Sequence, residues 1–469
     1  MEMGSWGIIP LITGVTTLPA LGEIGPVFML ALIPMIAFIV LSFNENIDPV
    51  LNSVAAVVIG VILLGLNPMQ IGSMFASALG STLGLIGFIM AFGAGVGIQM
   101  SKTGVSQTLC QWVVDGIGVN SQKKGMLVVM ICAVVICALT GTMAGGLAII
   151  APIVIPIVAA VGLRPSVVGA LFQSSGETGL IWGPFSPPVV ALVSIAGISY
   201  AQQMIWGAIP YGIVWLVVIF FVGLYLQKKN SDVYELTEDE KKKIEITPKM
   251  KRTAIAFLVT FALLVVYAIA AGTGVSYVVF VMFVLSVVMS VFGGVGPAES
   301  TKNILTGIKN SAGFWLLFVM LECFMNVVDF GGGFAALGNI FLGLMGDDPG
   351  QGGQSLVMIL GTLVGSFGIS GGAVAQIAIT HDLFAPALYT VGLPMEFWAI
   401  VLICGSRVTS SIYPGVNMIA PMGIARSSDL KAMLIGGWAV SMVSIVLIII
   451  WAFVGPAFFG ALATTPLPM

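Results

Sequence analysis

Apolar runs of about 20 residues, the length that crosses a bilayer's hydrocarbon core as a helix, recur from residue 24 to residue 456, and only one long charged stretch, Lys228 to Arg252, separates them. Lipid offers the backbone no hydrogen-bond partner, so each run must satisfy its own N–H and C=O groups, and a helix does this from contiguous residues. Of the 469 residues, 58% are hydrophobic and 8% charged, more apolar surface than a water-soluble fold can cover. The reading is an all-α polytopic membrane protein. Seventeen Lys and Arg against 20 Asp and Glu leave no basic patch for nucleic acid. Five cysteines (110, 132, 137, 323 and 404) lie in or beside apolar runs and read as buried thiols. No Lys or Arg precedes Lys102, so a signal peptide's positive n-region is missing and no cleavage is expected. Metal-ligand spacing, a Walker loop and a nucleophile elbow are all lacking, so neither an enzyme nor an ATP-driven pump is expected, and no cofactor.

Spanning segments are predicted near 24–43, 50–66, 80–100, 165–197 and 205–227, and again near 252–272, 275–294, 311–330, 395–425 and 432–456. The stretches 125–161 and 354–392 are too long for one helix and carry glycine clusters, and read as helical hairpins that enter and leave on one side. The two sets overlay. Gly84 to Gly104 matches Gly313 to Gly333 at a shift of 229, and at a shift of 230 Pro184 falls on Pro414 and Glu177 on Arg407. We read two repeats, 1–227 and 253–469, joined by a linker, 228–252. Each repeat holds five transmembrane helices, one discontinuous, plus one re-entrant hairpin, so the second is inverted relative to the first.

Charge fits that topology. With both termini outside, the inside loops hold 16 of the 17 basic residues: Lys102, Lys123, Lys124, Arg164, the eight of 228–252, Lys302, Lys309, Arg426 and Lys431. This is the bias expected of cytoplasmic loops in the cell's inner membrane. The linker then reads as a solvated cytoplasmic tether.

The remaining basic residue is Arg407, at membrane depth in "CGSRVTSSIYPG" (404–415), and its mate Glu177 lies in "QSSGETGLIWGPFSPP" (173–188). Glycines and prolines break both helices there, exposing backbone groups that are tolerated only where they line a cavity or bind a ligand. Intramembrane charges are costly and mark function by default, although Glu177 and Arg407 could also neutralise each other as a structural pair. The candidate substrate site comprises Ser174, Ser175, Glu177 and Thr178 from the first break, with Arg407, Thr409, Ser410, Ser411 and Asn417 from the second. The hairpin turns add Thr140, Thr142 and Gly145, and Ser370 and Gly371. Candidates for ion coupling are Glu177, Glu322 and Asp329, the last two seven apart on one helix face, and His381, the lone histidine, next to Asp382.

Three helices, a re-entrant hairpin, a discontinuous helix and a closing helix, repeated inverted, resemble the ion transporter superfamily of secondary carriers. Within it, "GSTLGLIGFIMAFGAGVGIQMSKTGVSQTL" (80–109) resembles gluconate permeases and anaerobic dicarboxylate carriers, and "SSGETGLIWGPFSPPVVALVSIAGIS" (174–199) is similar to sodium/proton antiporters. The resemblance implies alternating access of an elevator kind, a homodimer, and coupling to H+ or Na+. The hairpin tips carry Thr140, Thr142, Ser366 and Ser370 but no Asn, unlike the Ser-Asn-Thr signature of dicarboxylate/sodium symporters, which leaves the coupling ion open. The expected partner is a small organic anion, because a guanidinium grips a carboxylate with two hydrogen bonds. The alternative is a Na+/H+ antiporter without an organic substrate.

Overall fold

The structure is a computed structural model. It describes all residues except Met1, 20–23, 42–46, 238–244, 346–349, 367–372 and 464–469. Every regular element among the described residues is helical. The first half contains α1 (Ile8–Thr13), α2 (Ile33–Leu41), α3 (Pro49–Leu64), α4 (Pro68–Leu79), α5 (Thr82–Lys102) and α6 (Val105–Ile117). It continues through α7 (Gln122–Thr140), α8 (Met143–Ala160), α9 (Pro165–Trp182), α10 (Pro187–Ala196), α11 (Tyr200–Gln203) and α12 (Ile209–Lys229). The second half contains α13 (Pro248–Ala271), α14 (Ser276–Gly293), α15 (Pro297–Phe330), α16 (Gly333–Met345) and α17 (Gly350–Ser366). It ends with α18 (Ala373–Val391), α19 (Met395–Ile412), α20 (Val416–Ile424) and α21 (Leu430–Val454).

Short sequence signals start many of these helices. Asp48 accepts from the Val50 N–H (2.8 Å) ahead of α3, Asn67 and Gln70 cap α4 reciprocally, and Thr247 caps α13. Proline, whose missing N–H costs nothing at a first position, opens α3, α4, α9 and α13. Among the described residues nine helices are long and apolar enough to cross a membrane, or ten when α9 and α10 count as one span bent by 44°. That bend is the expected discontinuity. Pro184 cannot donate to a helical ladder, and the Ser186 hydroxyl, donating to the Leu180 and Gly183 carbonyls, takes up groups freed by the break.

Two helices form the axis of the molecule. Pro165–Ile181 of α9 and Met395–Ser411 of α19 are buried without interruption. α7, α12 and α21 pack on α9, and α17 and α21 on α19. The short segments cross over: α10 packs on α18 and α19 from the other half, and α20 on α8 and α9. Beside this group, α5 runs along α15, with α3, α4 and α14 against the pair. Gly95 and Gly307 set that crossing, because a Cβ on Gly307 would enter the Gly95 backbone. Gly307→Val should therefore push α15 off α5 and cost about 1–3 kcal/mol, measured as a lower melting temperature of the purified protein; an unchanged melting point would show that the pair does not depend on this contact.

Several elements escape a hydropathy scan. α4 and α6 are 12 and 13 residues long, too short to span, and were not anticipated, nor was α16. α15 has 34 residues rather than the 311–330 segment, about 51 Å of helix at 1.5 Å per residue, so part of it extends beyond a hydrocarbon core of about 30 Å. All five cysteines are buried free thiols, as read from the sequence.

The linker is more than a solvated tether at its start. Asp232 accepts from the Ser166 N–H (2.7 Å) and hydroxyl (2.8 Å) at the head of α9, and Asn230 donates to Ser166 Oγ (2.8 Å) and Asp429 Oδ2 (2.9 Å) at the head of α21. The Tyr234 hydroxyl donates to the Ala425 carbonyl (3.0 Å) beyond α20. Burial raises the Tyr234 phenol above its ordinary pKa, which keeps it a donor. These residues tie together the ends of the axial helices on one side of the molecule.

Candidate functional site

The ion pair anticipated from the repeat shift is formed. Arg407 Nη1 donates to Glu177 Oε2 across the α9–α19 axis, and the two side chains are 1% and 0% exposed. An isolated charge at this depth would be expensive, and the pair offsets much of that cost. The pairing is incomplete. Arg407 Nε and Nη2, and Glu177 Oε1, have no hydrogen-bond partner among the described residues. Nε and Nη2 share one edge of the guanidinium, the edge that holds a carboxylate by two parallel hydrogen bonds.

Arg407 lines a cavity of about 700 Å³, whose walls also include Thr142, Gly145, Pro187, Ala373 and Asn417. Three helices begin at that wall, α8 with Met143–Gly145, α10 with Pro187 and Pro188, and α20 with Val416 and Asn417, and Ala373–Ala375 of α18 join them. No side chain caps the starts of α8, α10 and α20. Helix N-termini carry partial positive charge, and at α8 and α20 unspent N–H groups as well, whereas Pro187 and Pro188 of α10 have no N–H to offer; their convergence makes the cavity favourable to an anion. The opposite wall comes from α5, α6 and α15, with Ser101, Gln107, Asn310 and Ser311.

Residues 35–287, more than half of the chain, match the protein family described as CitMHS, citrate transporter. The chain belongs to the CitMHS family. It is a secondary transporter and a multi-pass membrane protein. No curated protein sequence matches it. Among solved structures it is similar to the YdaH transporter of Alcanivorax borkumensis, which has an unusual topology, at 14% identity over 84% of this chain and 90% of that one, with a TM-score of 0.59. At that identity the likeness concerns the fold. The narrower likenesses to gluconate permeases and sodium/proton antiporters rest on the motifs at 80–109 and 174–199 alone.

In this CitMHS chain four of the residues expected at the site line the cavity: Thr142, Gly145, Arg407 and Asn417. Glu177 lies one contact behind, through Arg407. The Thr140 hydroxyl donates to the Ile136 (2.8 Å) and Thr142 (3.2 Å) carbonyls, shaping the hairpin turn. Ser174, Ser175 and Thr178 are buried within α9 and do not line the cavity; Thr178 donates to the Ser174 carbonyl (2.9 Å). Thr409 stitches α19 to α17 by donating to the Gly365 carbonyl (2.7 Å). Ser410 Oγ accepts from Asn417 Nδ2 (3.1 Å), supporting a wall residue from behind, and Ser411 is buried beside it. Ser370 and Gly371 lie outside the described residues.

Apart from Glu177, the coupling candidates lie on α15 and α18. Glu322 and Asp329 stand on α15, and Asp382 on α18, which packs on α15. Leu321 and Ala375 line the cavity, so Glu322 adjoins it, while Asp382 lies seven residues beyond Ala375, about 10 Å along its helix. His381 accepts the Trp398 indole N–H at Nδ1 (3.1 Å), which requires that nitrogen to be unprotonated.

Sequence reasoning missed Gln107, Asn310 and Ser311. Polar residues near the ends of apolar segments are common in membrane helices, and only the packing of α6 and α15 beside α5 turns these toward the cavity.

Proposed function

We propose that the chain carries a small organic anion with several carboxylates, of the citrate class, across the cytoplasmic membrane, coupled to H+ or Na+. The observation that carries this reading is the unspent Nε/Nη2 edge of Arg407 at a cavity where α8, α10 and α20 begin. A polycarboxylate needs one bidentate partner and a diffuse positive field, and these supply both. The family description, citrate transporter, agrees. The volume lies within the usual range for small-molecule sites. A Na+/H+ antiporter would account for the acids of α15 and α18 but gives the guanidinium edge no task.

We read the fold as two inverted repeats. α9 starts at 165 and α19 at 395, an offset of 230, and each has 18 residues; α6 and α16 start at 105 and 333, an offset of 228. In this reading α7–α12 and α17–α21 move as one body, elevator fashion, against the α5–α15 group, within a homodimer in the inner membrane. Both termini lie outside and 228–252 inside. On a cysteine-free background, Ser231→Cys should react only from the cytoplasmic side and Gly350→Cys only from the outside; reversed accessibility at either position would defeat the inverted arrangement.

Substrate class is tested with purified protein in liposomes. Citrate and related tricarboxylates are expected to raise the melting temperature and to be taken up, with sodium and pH varied to identify the coupling ion. Stabilisation by sodium or pH alone, with every organic acid inert, would favour the antiporter.

A further inference from the structure

A second cavity, of about 920 Å³, opens between α7, α12 and α13. Its walls are the aliphatic and aromatic side chains of Ile131 and Leu139 from α7, Leu216 and Phe220 from α12, and Leu258 and Phe261 from α13. The lining residues that carry side-chain polar atoms, Trp182 and Tyr200, have spent them: Trp182 Nε1 donates to the Ala208 carbonyl and the Tyr200 hydroxyl to the Trp182 carbonyl, both at 2.7 Å. The groove therefore offers carbon only, and water would gain nothing there.

Its orientation is fixed by hydrogen bonds. Gln122 at the start of α7 and Gln227 near the end of α12 both donate to the Gly162 carbonyl, at 3.3 and 2.8 Å, so these two helix ends lie at one level. The same ends carry Lys123, Lys124, Lys228 and Lys229, and the start of α13 adds Lys251 and Arg252. From Leu127 to Leu139 the groove follows α7 for about 18 Å at 1.5 Å per residue, close to the depth of one leaflet in a hydrocarbon core of about 30 Å. The far end touches Trp182 and Pro184, at the break between α9 and α10.

We propose that this groove binds an anionic glycerophospholipid, with its acyl chains against α7, α12 and α13 and its headgroup phosphate among the basic helix ends. The charge on the rim selects the occupant. A second copy of the chain docked symmetrically on this face would bring its own lysines against these, whereas a negative headgroup is attracted to them. The bound tail rests on the break in the axial helix, so occupancy bears on the segment that ends beside the substrate cavity. This assignment does not depend on which substrate the carrier moves.

Delipidated full-length protein, examined by native mass spectrometry with phosphatidylglycerol or phosphatidylcholine of identical acyl chains, should retain the anionic lipid about tenfold better. Lys228→Gln, Lys229→Gln and Lys251→Gln combined should abolish that preference while phosphatidylcholine retention stays unchanged. Ala262→Phe, which fills the groove from an exposed position, should lower retention of both lipids. A photoreactive phosphatidylglycerol tail should label residues 216–221 or 258–266 of the unaltered protein, which tests the site even if a variant fails to fold. Equal retention of the two lipids, labelling confined to other helices, or unchanged binding in a folded Ala262→Phe protein would each overturn the proposal.

Discussion

Arg407→Ala is expected to abolish citrate uptake and to lower stability by about 3–5 kcal/mol, because it leaves Glu177 as an unpartnered charge in the most buried part of the molecule. The loss of transport alone would not distinguish a structural pair from a substrate contact. The double variant Arg407→Met with Glu177→Gln does. It leaves no lone charge and keeps similar volumes, so thermal unfolding should return close to that of the unaltered protein. Transport should not return, since an apolar side chain cannot replace the Nε and Nη2 donors that face the cavity unspent. Arg407→Lys should keep most of the stability and still transport poorly, because an ammonium presents a point charge where two parallel donors are needed. Uptake by the folded double variant at near the normal rate would show that Arg407 only neutralises Glu177, and would move the reading toward the antiporter.

The pair was legible in the sequence for a physical reason. A charge at membrane depth is expensive enough to stand out among apolar residues, and proline and glycine beside it mark where the helix gives way. The same features located the break between α9 and α10, and the pairing of Glu177 with Arg407 followed from the repeat shift. The serines next to them were harder to place. Ser174, Ser175 and Thr178 share the Gly- and Ser-rich pattern of Glu177, yet α9 turns them into packed surroundings, while Thr142 and Asn417 lie on the cavity wall. Small polar residues serve helix packing as readily as binding, so the pattern alone could not separate the two uses. The short helices α4 and α6 went unseen because hydropathy windows detect only segments long enough to span. The docking of Asp232 and Asn230 was hidden by the high charge around them, which is also how a free tether reads.

Asp382→Asn is expected to abolish accumulation against a gradient while leaving exchange of labelled for unlabelled substrate at about half the normal rate or more. Coupling requires a group whose charge state changes with the position of the carrier, and exchange requires only the substrate site. Asp382 stands on α18, which packs on α15, the helix of Glu322 and Asp329, although among the described residues no three acidic, histidine or cysteine groups come close enough to hold a metal ion. What the three carboxylates share is mutual repulsion, which a proton on one of them relieves. Their helices belong to the two bodies proposed to move: α18 to the part that carries the cavity's helix starts, α15 to the part beside it. Sliding one past the other changes the separation of Asp382 from Glu322 and Asp329, and with it the strength of that repulsion. Asparagine removes the charge at nearly constant volume, so transport should run downhill without storing energy. The measurement is labelled citrate uptake into liposomes with and without an imposed proton gradient, beside counterflow at equal concentrations. Gradient-driven accumulation that survives in Asp382→Asn would exclude this cluster from coupling and leave Glu177, whose Oε1 has no partner among the described residues, as the group to test next.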